Sequence, residues 1–227
     1  MRLGLTSTPD RIRGLMPGAS RLGFDPVPLP CIRIDDIPGG GERVVTASSR
    51  ADALIVSSAR AVALLAHVGL PSLPILAVGL ETATAVEDAG GTVAWAGSGG
   101  IHDLARDAQQ LIGGKVVVLA GASSTTRESA TTLEMAGCSV VPVDLYTTVP
   151  IAPPNDPVDA VVFGSPTAVT GWLFSRELSG LIVGAIGSTT AESLRGHGIE
   201  PDAVPDRPGF MNTIEQVAAL WSTRSTP

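Results

Sequence analysis

Short apolar segments recur along the chain, and each is followed by a turn of small polar residues and then by a helix-like spacing of apolar positions. Six of these segments predict buried strands, at residues 3–5, 53–56, 75–78, 116–119, 160–163 and 182–186. Strands that alternate with helices are typical of parallel sheets whose faces are covered by helices. The pattern therefore predicts an α/β fold with parallel sheets flanked by helices.

The chain also contains an internal repeat. Segments from the first half align with segments from the second half in the same order and at a nearly constant offset. The aligned pairs are 52–62 with 159–169, 77–83 with 185–191, Gly90 with Gly198, and Gly23 with Gly137. Chance supplies one such match readily, but not several in order, so we interpret the chain as a duplication.

Two equal halves of sequence need not be the two spatial domains. Pro-rich or turn-like stretches indicate where the chain crosses from one lobe to the other, and we place these connections at 35–43 and 144–149. Residues 1–34 and 150–227 then form a discontinuous α/β lobe, and residues 44–143 form a second one. In this arrangement each lobe contains a strand–helix unit from the opposite repeat.

Net charge and hydropathy exclude several classes of partner. The formal net charge is −7 and no basic run is present, which argues against nucleic acid. No apolar run reaches the roughly 18 residues that a membrane span needs. The first residues resemble a strand rather than a signal peptide. We therefore expect a cytoplasmic monomer that binds a small molecule, with no nucleic-acid or membrane partner.

Residues that commonly hold metals or form disulfides are few. Cys31 and Cys138 lie in strand-like sequence and are expected to be buried free thiols. His67, His102 and His197 are scattered, without carboxylates or thiols at ligand spacing. The Ser/Thr-rich turn after the fourth predicted strand lacks the lysine and the spacing of a nucleotide P-loop. Neither a metal nor a cofactor is predicted.

The turns that follow the predicted strands are candidates for ligand binding. In open parallel sheets, ligands sit outside the carboxyl ends of the strands. Free N–H groups and the positive end of the helix dipole favour anions there. The candidate binding residues in these turns are Ser57, Ser58, Gly79, Thr82, Ser123, Ser165, Thr167, Gly187, Ser188 and Thr189. The alternative for any one turn is ordinary helix capping without a ligand, since Ser and Thr are common caps.

Tyr146 is the single tyrosine of the chain and lies where the middle block meets the last block. A phenol on a strand that crosses between lobes could donate a proton or a hydrogen bond to a leaving group. The alternative is an amphipathic side chain that packs at a domain boundary. Composition alone does not separate these two interpretations.

Taken together, the motifs resemble those of uroporphyrinogen-III synthases. The family pattern of an apolar strand, Thr-Ser, a small residue and Ala-Val resembles residues 55–62, and its Val-Gly-x-x-Thr-Ala resembles 78–83. The family segments Phe-Thr-Ser-Pro-Ser-Ala-Val and Ile-Gly-Pro-Thr-Thr-Ala resemble 163–169 and 186–191. The family tyrosine falls on Tyr146. In order and spacing, these matches cover nearly the whole chain.

The resemblance implies two similar α/β lobes joined by a two-stranded connection, with the site in the cleft. It implies that the substrate is hydroxymethylbilane, a linear tetrapyrrole with eight carboxylates that closes with loss of water and inversion of its last pyrrole. The free substrate cyclises without inversion, so positioning is the main contribution of the protein. Loss of hydroxide needs a proton, for which Tyr146 is the candidate acid. No cofactor is implied.

The chain departs from the family pattern at several positions. The usual Thr-Arg after the first strand is Thr-Ser at 6–7, and the usual Pro-Arg-Gly is Ala-Gly-Ala at 120–122, although Arg127 lies nearby. Gly164 replaces a threonine, and Ser188 replaces a proline. The missing arginines favour one alternative, a diverged or non-catalytic anion-binding or regulatory protein with the synthase fold. A two-lobed solute-binding protein is a further alternative, since fold alone does not decide function.

Overall fold

The computed structural model describes residues 1–97 and 101–224. Its strands are β1 (Arg2–Thr6), β2 (Asp25–Pro28), β3 (Ile32–Asp36), β4 (Ala53–Val56), β5 (Ile75–Ala77), β6 (Val93–Ala96), β7 (Val116–Ala122), β8 (Ser139–Pro150), β9 (Ala160–Phe163) and β10 (Ile182–Ala185). Its helices are α1 (Pro9–Arg21), α2 (Gly40–Ser48), α3 (Ala59–Ala66), α4 (Leu80–Asp88), α5 (Ile101–Ile112), α6 (Ser123–Met135), α7 (Pro166–Leu173), α8 (Ser188–Gly196) and α9 (Phe210–Arg224). None of the helices within the described ranges has the length and apolar character required to cross a bilayer.

The chain divides into two compact units, and the first of them is discontinuous. Unit 1 combines Met1–Ile34 with Val149–Pro227, and unit 2 is Asp35–Thr148. Unit 1 contains a four-stranded sheet in the order β10-β9-β1-β2. Its strand pairs are parallel, with Leu3 opposite both Ala160 and Pro26. The first strand of the chain is therefore an inner strand of a sheet that also contains strands from the C-terminal half, and the predicted α/β fold is confirmed.

Both faces of the unit 1 sheet are covered by apolar side chains. Val162 of β9 belongs to a buried cluster with Phe210 of α9, whereas its neighbour Phe163 belongs to a cluster with Trp172 of α7. Successive side chains of a strand point to opposite faces, which explains this division. The rings of Phe163 and Trp172 meet edge to face with centroids 5.7 Å apart. Because both faces are covered, β9 has a continuous apolar sequence.

Unit 2 contains a six-stranded sheet in the order β3-β8-β7-β4-β5-β6. The strand β4 is parallel to β5 and β7, and β7 is parallel to β8. All residues of β4 and β5 are buried, whereas β6, at the edge, alternates between half-buried and exposed residues. Burial, and not apolar sequence, therefore distinguishes the inner strands β4 and β5 from β6, whose sequence Val-Ala-Trp-Ala is also apolar.

The two sheets share an order that follows the repeat. The unit 1 order β10-β9-β1-β2 corresponds to β5-β4-β7-β8 in unit 2. Equivalent helices end at glycines with left-handed backbone, with φ of 79° at Gly90 and 75° at Gly198. Glycine adopts this conformation without the steric cost that other residues meet. Each unit thus contains one strand–helix–strand segment from the opposite half of the chain, as the repeat predicts.

In each unit an equivalent aspartate accepts a hydrogen bond from the backbone of the neighbouring strand. Asp52, before β4, accepts a hydrogen bond from the N–H of Val116 at 2.9 Å. Asp159, before β9, accepts one from the N–H of Arg2 at 2.7 Å. Both acceptors are carboxylates, which form stronger hydrogen bonds than neutral oxygens do. The duplication therefore extends to polar contacts that help to determine which strands are neighbours.

The helices that follow the inner strands begin in two ways. Ser58 and Ser165 cap α3 and α7, and each side chain accepts a hydrogen bond from the N–H three residues later, at 3.1 and 3.2 Å. Gly79 and Gly187 stand at the same place before α4 and α8, where no side chain caps the helix. First-turn N–H groups have no acceptor within their own helix. The glycine-capped helices therefore leave more of these groups for a ligand than the serine-capped ones.

The structure contains strands that the apolar pattern does not reveal. These are β2, β3 and β6, together with the full length of β8. The strand β2 has the sequence Asp-Pro-Val-Pro, and proline cannot donate to a ladder of hydrogen bonds. Both β3 and β8 run across the boundary between the two units. Proline or charged residues interrupt β2, β3 and β8, so these strands are weakly marked in the sequence, whereas β6 is short and apolar but only partly buried.

Both cysteines are free and buried, as predicted. Burial raises the pKa of the Cys31 thiol from 9.0 to about 12, against a smaller opposing effect of the Arg176 guanidinium. Burial also raises the pKa of Cys138. Because the thiolate is the reactive form, both side chains are inert in the folded protein.

We expect the free energy of unfolding to fall as the pH rises from 9 towards 12, because the unfolded thiol ionises while native Cys31 keeps its proton. The stabilisation is complete below pH 9.0 and is lost as the pH approaches 12. One thiol contributes a slope of up to about 1.4 kcal/mol per pH unit. Urea unfolding measures this slope, and Cys31→Ala should flatten it. An equal slope in wild type and variant would contradict the assignment.

Ser165→Ala should destabilise the fold by about 1 kcal/mol, because it removes the side-chain cap of α7. Urea denaturation with a constant m-value measures this change. Ser175→Ala is the matched control, since Ser175 is exposed just after the same helix. If the two variants lost equal stability, the cap would not be the cause.

Candidate functional site

Three neighbouring strands of unit 2 end at one edge of the sheet, and the candidate catalytic residue lies there. The strands β4, β7 and β8 are adjacent. Ser57 and Ser58 follow β4, Ser123 begins α6 after β7, and Tyr146 lies on β8 opposite Ala122. Ligands bind outside the carboxyl ends of parallel strands. The structure therefore gathers four of the predicted site residues at an edge suited to a ligand.

The phenol of Tyr146 makes the central contact of this edge. Tyr146 is 9% exposed, and its Oη lies 2.9 Å from Ser58 Oγ. Ser58 Oγ also accepts the N–H of Ala61 at 3.1 Å. Either hydroxyl can donate in this contact, because each has one hydrogen and two lone pairs. When Ser58 is the donor, the hydrogen of the phenol is available to a ligand.

A guanidinium lies over the ring of Tyr146. The Cζ atom of Arg60 is 5.6 Å from the ring centroid. Arg60 Nη2 lies 2.5 Å from Oδ1 of Asp36, on β3, and the two side chains are 41% and 54% exposed. A cation over an aromatic face at an exposed site contributes about 0.5–1 kcal/mol. These contacts hold a positive charge beside the phenol and leave it accessible to solvent.

Ser57 occupies the space that a side chain at position 121 would need. A Cβ built on Gly121 would clash with Ser57 Oγ. The Ser57 hydroxyl donates to the carbonyl of Ala120 at 3.4 Å. An arginine at position 121, which the resemblance leads us to expect, would therefore require Ser57 to move.

A polar cavity of about 580 Å³ adjoins the start of α6. Its lining consists of two serines, an arginine, two carboxylates and a proline: Ser123, Ser124, Arg127, Glu128, Pro142 and Asp144. No side chain caps α6, and its first turn contains no acidic residue. The helix start and Arg127 favour an anion, whereas Glu128 and Asp144 oppose it. Ser123 therefore lies beside a space of mixed charge that is open to a ligand.

Of the two candidate binding residues in the turn after β5, Gly79 and Thr82, only Gly79 reaches the surface. Gly79 is half-buried at the start of α4, but Thr82 is only 5% exposed. Leu80, the first residue of α4, is 65% exposed. The surface of this turn is therefore formed by Gly79 and Leu80, and the Thr82 hydroxyl lies beneath it.

Unit 1 has an equivalent edge, formed by the turns after β9 and β10. Ser165 and Thr167 at the start of α7 are half-buried. Ser188 and Thr189 at the start of α8 are exposed, and Gly187 before them is buried. The first turn of α8 contains hydroxyl side chains and no carboxylate. Among the predicted residues of unit 1, Ser188 and Thr189 present the most accessible hydroxyls.

Phe210 and Thr6 fill the space around Gly164. A Cβ on Gly164 would clash with the ring of Phe210. Thr6 Oγ1 accepts the N–H of Gly164 at 3.3 Å. The guanidinium of Arg11, on α1, lies 5.3 Å from the centroid of the Phe210 ring. Unit 1 therefore has a cation, Arg11, beside the ring that packs on Gly164.

Potential metal ligands are dispersed. His67, His102 and His197 are exposed and lie on or beside three different helices. Over residues 1–97 and 101–224, no group of three or more His, Cys, Asp or Glu side chains is arranged to hold a metal ion.

Sequence reasoning missed Arg60 and Asp36. One signal was present, because Arg60 stands in the first turn of a helix, where the dipole disfavours a cation. Its partner Asp36 is on β3, a strand that the apolar pattern does not mark. Finding this pair required the sheet order, which places β3 beside β8 and thus near Tyr146.

Comparisons with known proteins agree with this architecture. The structure of uroporphyrinogen-III synthetase from Helicobacter pylori matches with a TM-score of 0.70 at 18% identity, covering 97% of this chain and 100% of that one. A mutant uroporphyrinogen III synthase from the extremely thermophilic bacterium Thermus thermophilus matches with a TM-score of 0.64 at 20% identity, covering 99% of this chain and 100% of that one. None of the curated proteins compared with the chain matches it.

At these identities the solved structures establish the fold, which is the two-domain fold of these synthases. The family comparison goes further, because the sequence model described as uroporphyrinogen-III synthase HemD matches residues 15–215. That range includes Tyr146 and the turns at the carboxyl edges of both units. The chain belongs to the uroporphyrinogen-III synthase family.

Proposed function

We propose that this enzyme closes hydroxymethylbilane into isomer III with loss of water and inversion of the last pyrrole, and that Tyr146 supplies the proton for the departing hydroxyl. The family supplies the substrate class, a small linear tetrapyrrole. One observation supports the role of Tyr146, namely its hydrogen bond to Ser58 at 2.9 Å at the carboxyl edge of the unit 2 sheet. Family membership supports a synthase and offers nothing in favour of a non-catalytic relative.

The proposed reaction requires a proton on the oxygen of the hydroxyl group that leaves the substrate. Hydroxide is a poor leaving group, so the bond between the methylene carbon and the hydroxyl breaks more easily when the oxygen leaves as water. The electrons for this step come from the adjoining pyrrole. A phenol that donates its hydrogen to the departing oxygen becomes a phenolate, and the surroundings must then stabilise that charge.

The start of α3 is suited to stabilise such a phenolate. A phenolate has no hydrogen to donate, so Ser58 Oγ then donates its hydrogen to Tyr146 Oη while it accepts from the N–H of Ala61. Ser58 is also the N-cap of α3, so the positive end of that helix dipole lies beside the phenol. A favourably placed helix end is worth about 0.3–1 kcal/mol, rising to about 2 where the site is partly buried.

The substrate carboxylates would bind at helix starts that no side chain caps. Both α4 and α8 follow glycine caps, but α4 contains Glu81 in its first turn whereas α8 contains no acid there. Backbone N–H groups bind an anion locally even when the distant surface is negative. We therefore assign the stronger carboxylate site to the start of α8, where Ser188 and Thr189 add hydroxyl donors.

The same proposal includes the domain assignment and the cellular setting. Residues 35–43 and 144–149 are taken as connections between the lobes, which is supported by the passage of β3 and β8 across the boundary of the units.

The protein is proposed to be a cytoplasmic monomer without a nucleic-acid partner. Two buried free thiols are typical of a reducing compartment. Light scattering on the purified protein measures its oligomeric state.

Tyr146→Phe should lower kcat by about 10²–10⁴-fold, because general acid catalysis typically contributes that factor. The melting temperature should change little, since the ring and its packing remain. Steady-state turnover of freshly prepared hydroxymethylbilane, with separation of isomers I and III, measures both the rate and the product.

Two results would contradict this role of Tyr146. A fall of less than about tenfold, or roughly 1.4 kcal/mol, would mean that the phenol only positions the substrate. A lower melting temperature with an unchanged rate per folded molecule would mean that the tyrosine only packs. Residual activity should still give isomer III, and a shift towards isomer I would show substrate closing in solution.

Thr189→Val should raise KM by the equivalent of about 0.5–1.5 kcal/mol, or up to about 3 for a fully charged partner, because it keeps the side-chain shape and removes one hydrogen bond to a carboxylate. The same kinetic assay measures it. Thr131→Val is the matched control, since Thr131 is an exposed threonine in the middle of α6 whose hydroxyl bonds to its own helix at the carbonyl of Arg127. Equal KM values for the two variants would remove the Thr189 hydroxyl from the site.

A further inference from the structure

We propose that Arg60 anchors one carboxylate of the substrate beside Tyr146, and that Asp36 weakens this anchor by competing for the same guanidinium. The proposal rests on the proposed function, since it assumes a substrate with many carboxylates. It adds a binding residue and an internal competitor that neither the motifs nor the family match assign.

The geometry places a carboxylate-binding group next to the phenol. The Arg60 guanidinium lies 5.6 Å from the centroid of the Tyr146 ring. The Asp36 carboxylate already lies 2.5 Å from Arg60 Nη2, so a carboxylate can reach this guanidinium. Asp36 thus marks, within the protein itself, a position that a substrate carboxylate could take.

The fold does not depend on the pair of Arg60 and Asp36. Both side chains are substantially exposed, at 41% and 54%, and exposed ion pairs contribute little to stability. A guanidinium has five N–H donors, and the contact with Asp36 is made through Nη2. The remaining donors can bind a second carboxylate, or the substrate can displace Asp36. In both cases the negative charge of Asp36 opposes the binding of the substrate.

The local electrostatics favour an anion at this place and disfavour an isolated arginine. Arg60 is the second residue of α3, at the positive end of the helix dipole. A cation there is stabilised by a nearby negative charge, which Asp36 supplies in the free protein. A substrate carboxylate would interact favourably with both the guanidinium and the helix start. Binding there would also hold the attached pyrrole beside the candidate acid.

Steady-state kinetics with hydroxymethylbilane test the proposal through opposite effects on KM. Arg60→Gln should raise KM about tenfold, which lies at the lower end for a hydrogen bond to a charged group, and should lower kcat less than Tyr146→Phe does. Asp36→Asn should lower KM about threefold or more, because it removes the competing charge. Arg60→Lys keeps the charge but loses the fork of donors, so its KM should lie between wild type and Arg60→Gln.

Arg106→Gln is the matched control. Arg106 is an exposed arginine of α5 that pairs with Asp103, as Arg60 pairs with Asp36, and α5 follows β6, which three strands separate from β8. Its replacement changes the net charge of the protein as much as Arg60→Gln does, so it measures the general electrostatic effect on a negative substrate. We expect its KM to stay within about twofold of wild type, because the effect of a distant exposed charge is screened.

The possible outcomes distinguish a failure of the proposed function from a failure of the proposed role of Arg60. A wild-type protein that makes no isomer III refutes the proposed function itself. If wild type is active, an unchanged KM in folded Arg60→Gln overturns the anchor, as does an equal rise in Arg106→Gln. A higher KM in Asp36→Asn would show that Asp36 merely holds Arg60 in place, and this also overturns the proposal. If Arg60→Gln lowers the melting temperature, the KM values of Arg60→Lys and Asp36→Asn still test whether Arg60 binds the substrate.

Discussion

The pairing of β1 with β9 is the constraint on which the rest of the architecture depends. The strands come from opposite halves of the chain, and Asp159 fastens the N–H of Arg2 across a separation of 157 residues. Since β1 lies between β9 and β2, the sheet of unit 1 is continuous only with β1 in place. The chain must therefore leave unit 1 after β2 and return before β9. It leaves along β3 and returns along β8, and the position of Tyr146 follows from that return.

Much of the fold could be predicted because its inner strands are covered on both faces. Strands such as β4 and β9 consist of continuous buried apolar residues, which periodicity and composition reveal directly. The repeat then predicted which helix starts and helix ends would be equivalent. The strands β2 and β3 could not be found in this way, because proline and charged residues interrupt them, and β6 was missed although its short sequence Val-Ala-Trp-Ala is apolar. Their existence depends on tertiary pairing and not on local sequence.

The candidate site was only partly predictable for a similar reason. The small and hydroxyl residues after buried strands marked the carboxyl edges, and Ser58 and Ser165 cap their helices as the motifs suggest. Local sequence does not determine whether a hydroxyl faces solvent, and Thr82 is buried beneath its turn. The contact between Arg60 and Asp36 joins helix α3 to the end of strand β3, and the two residues are far apart in the sequence. Such a contact can be inferred only when the sheet order is known.

The position of β1 also has a consequence for the order of events during synthesis. Unit 2 is one uninterrupted segment, so it can fold as soon as its residues have left the ribosome. The strand β1 precedes unit 2 in the chain but meets its partner β9 only after residue 163 has been translated. Until then β1 can pair only with β2, and Leu3 and Leu5, which are fully buried in the folded protein, lack the neighbours that β9 and α9 supply. While unit 2 folds, the nascent chain thus contains a two-stranded segment whose apolar side chains are incompletely covered.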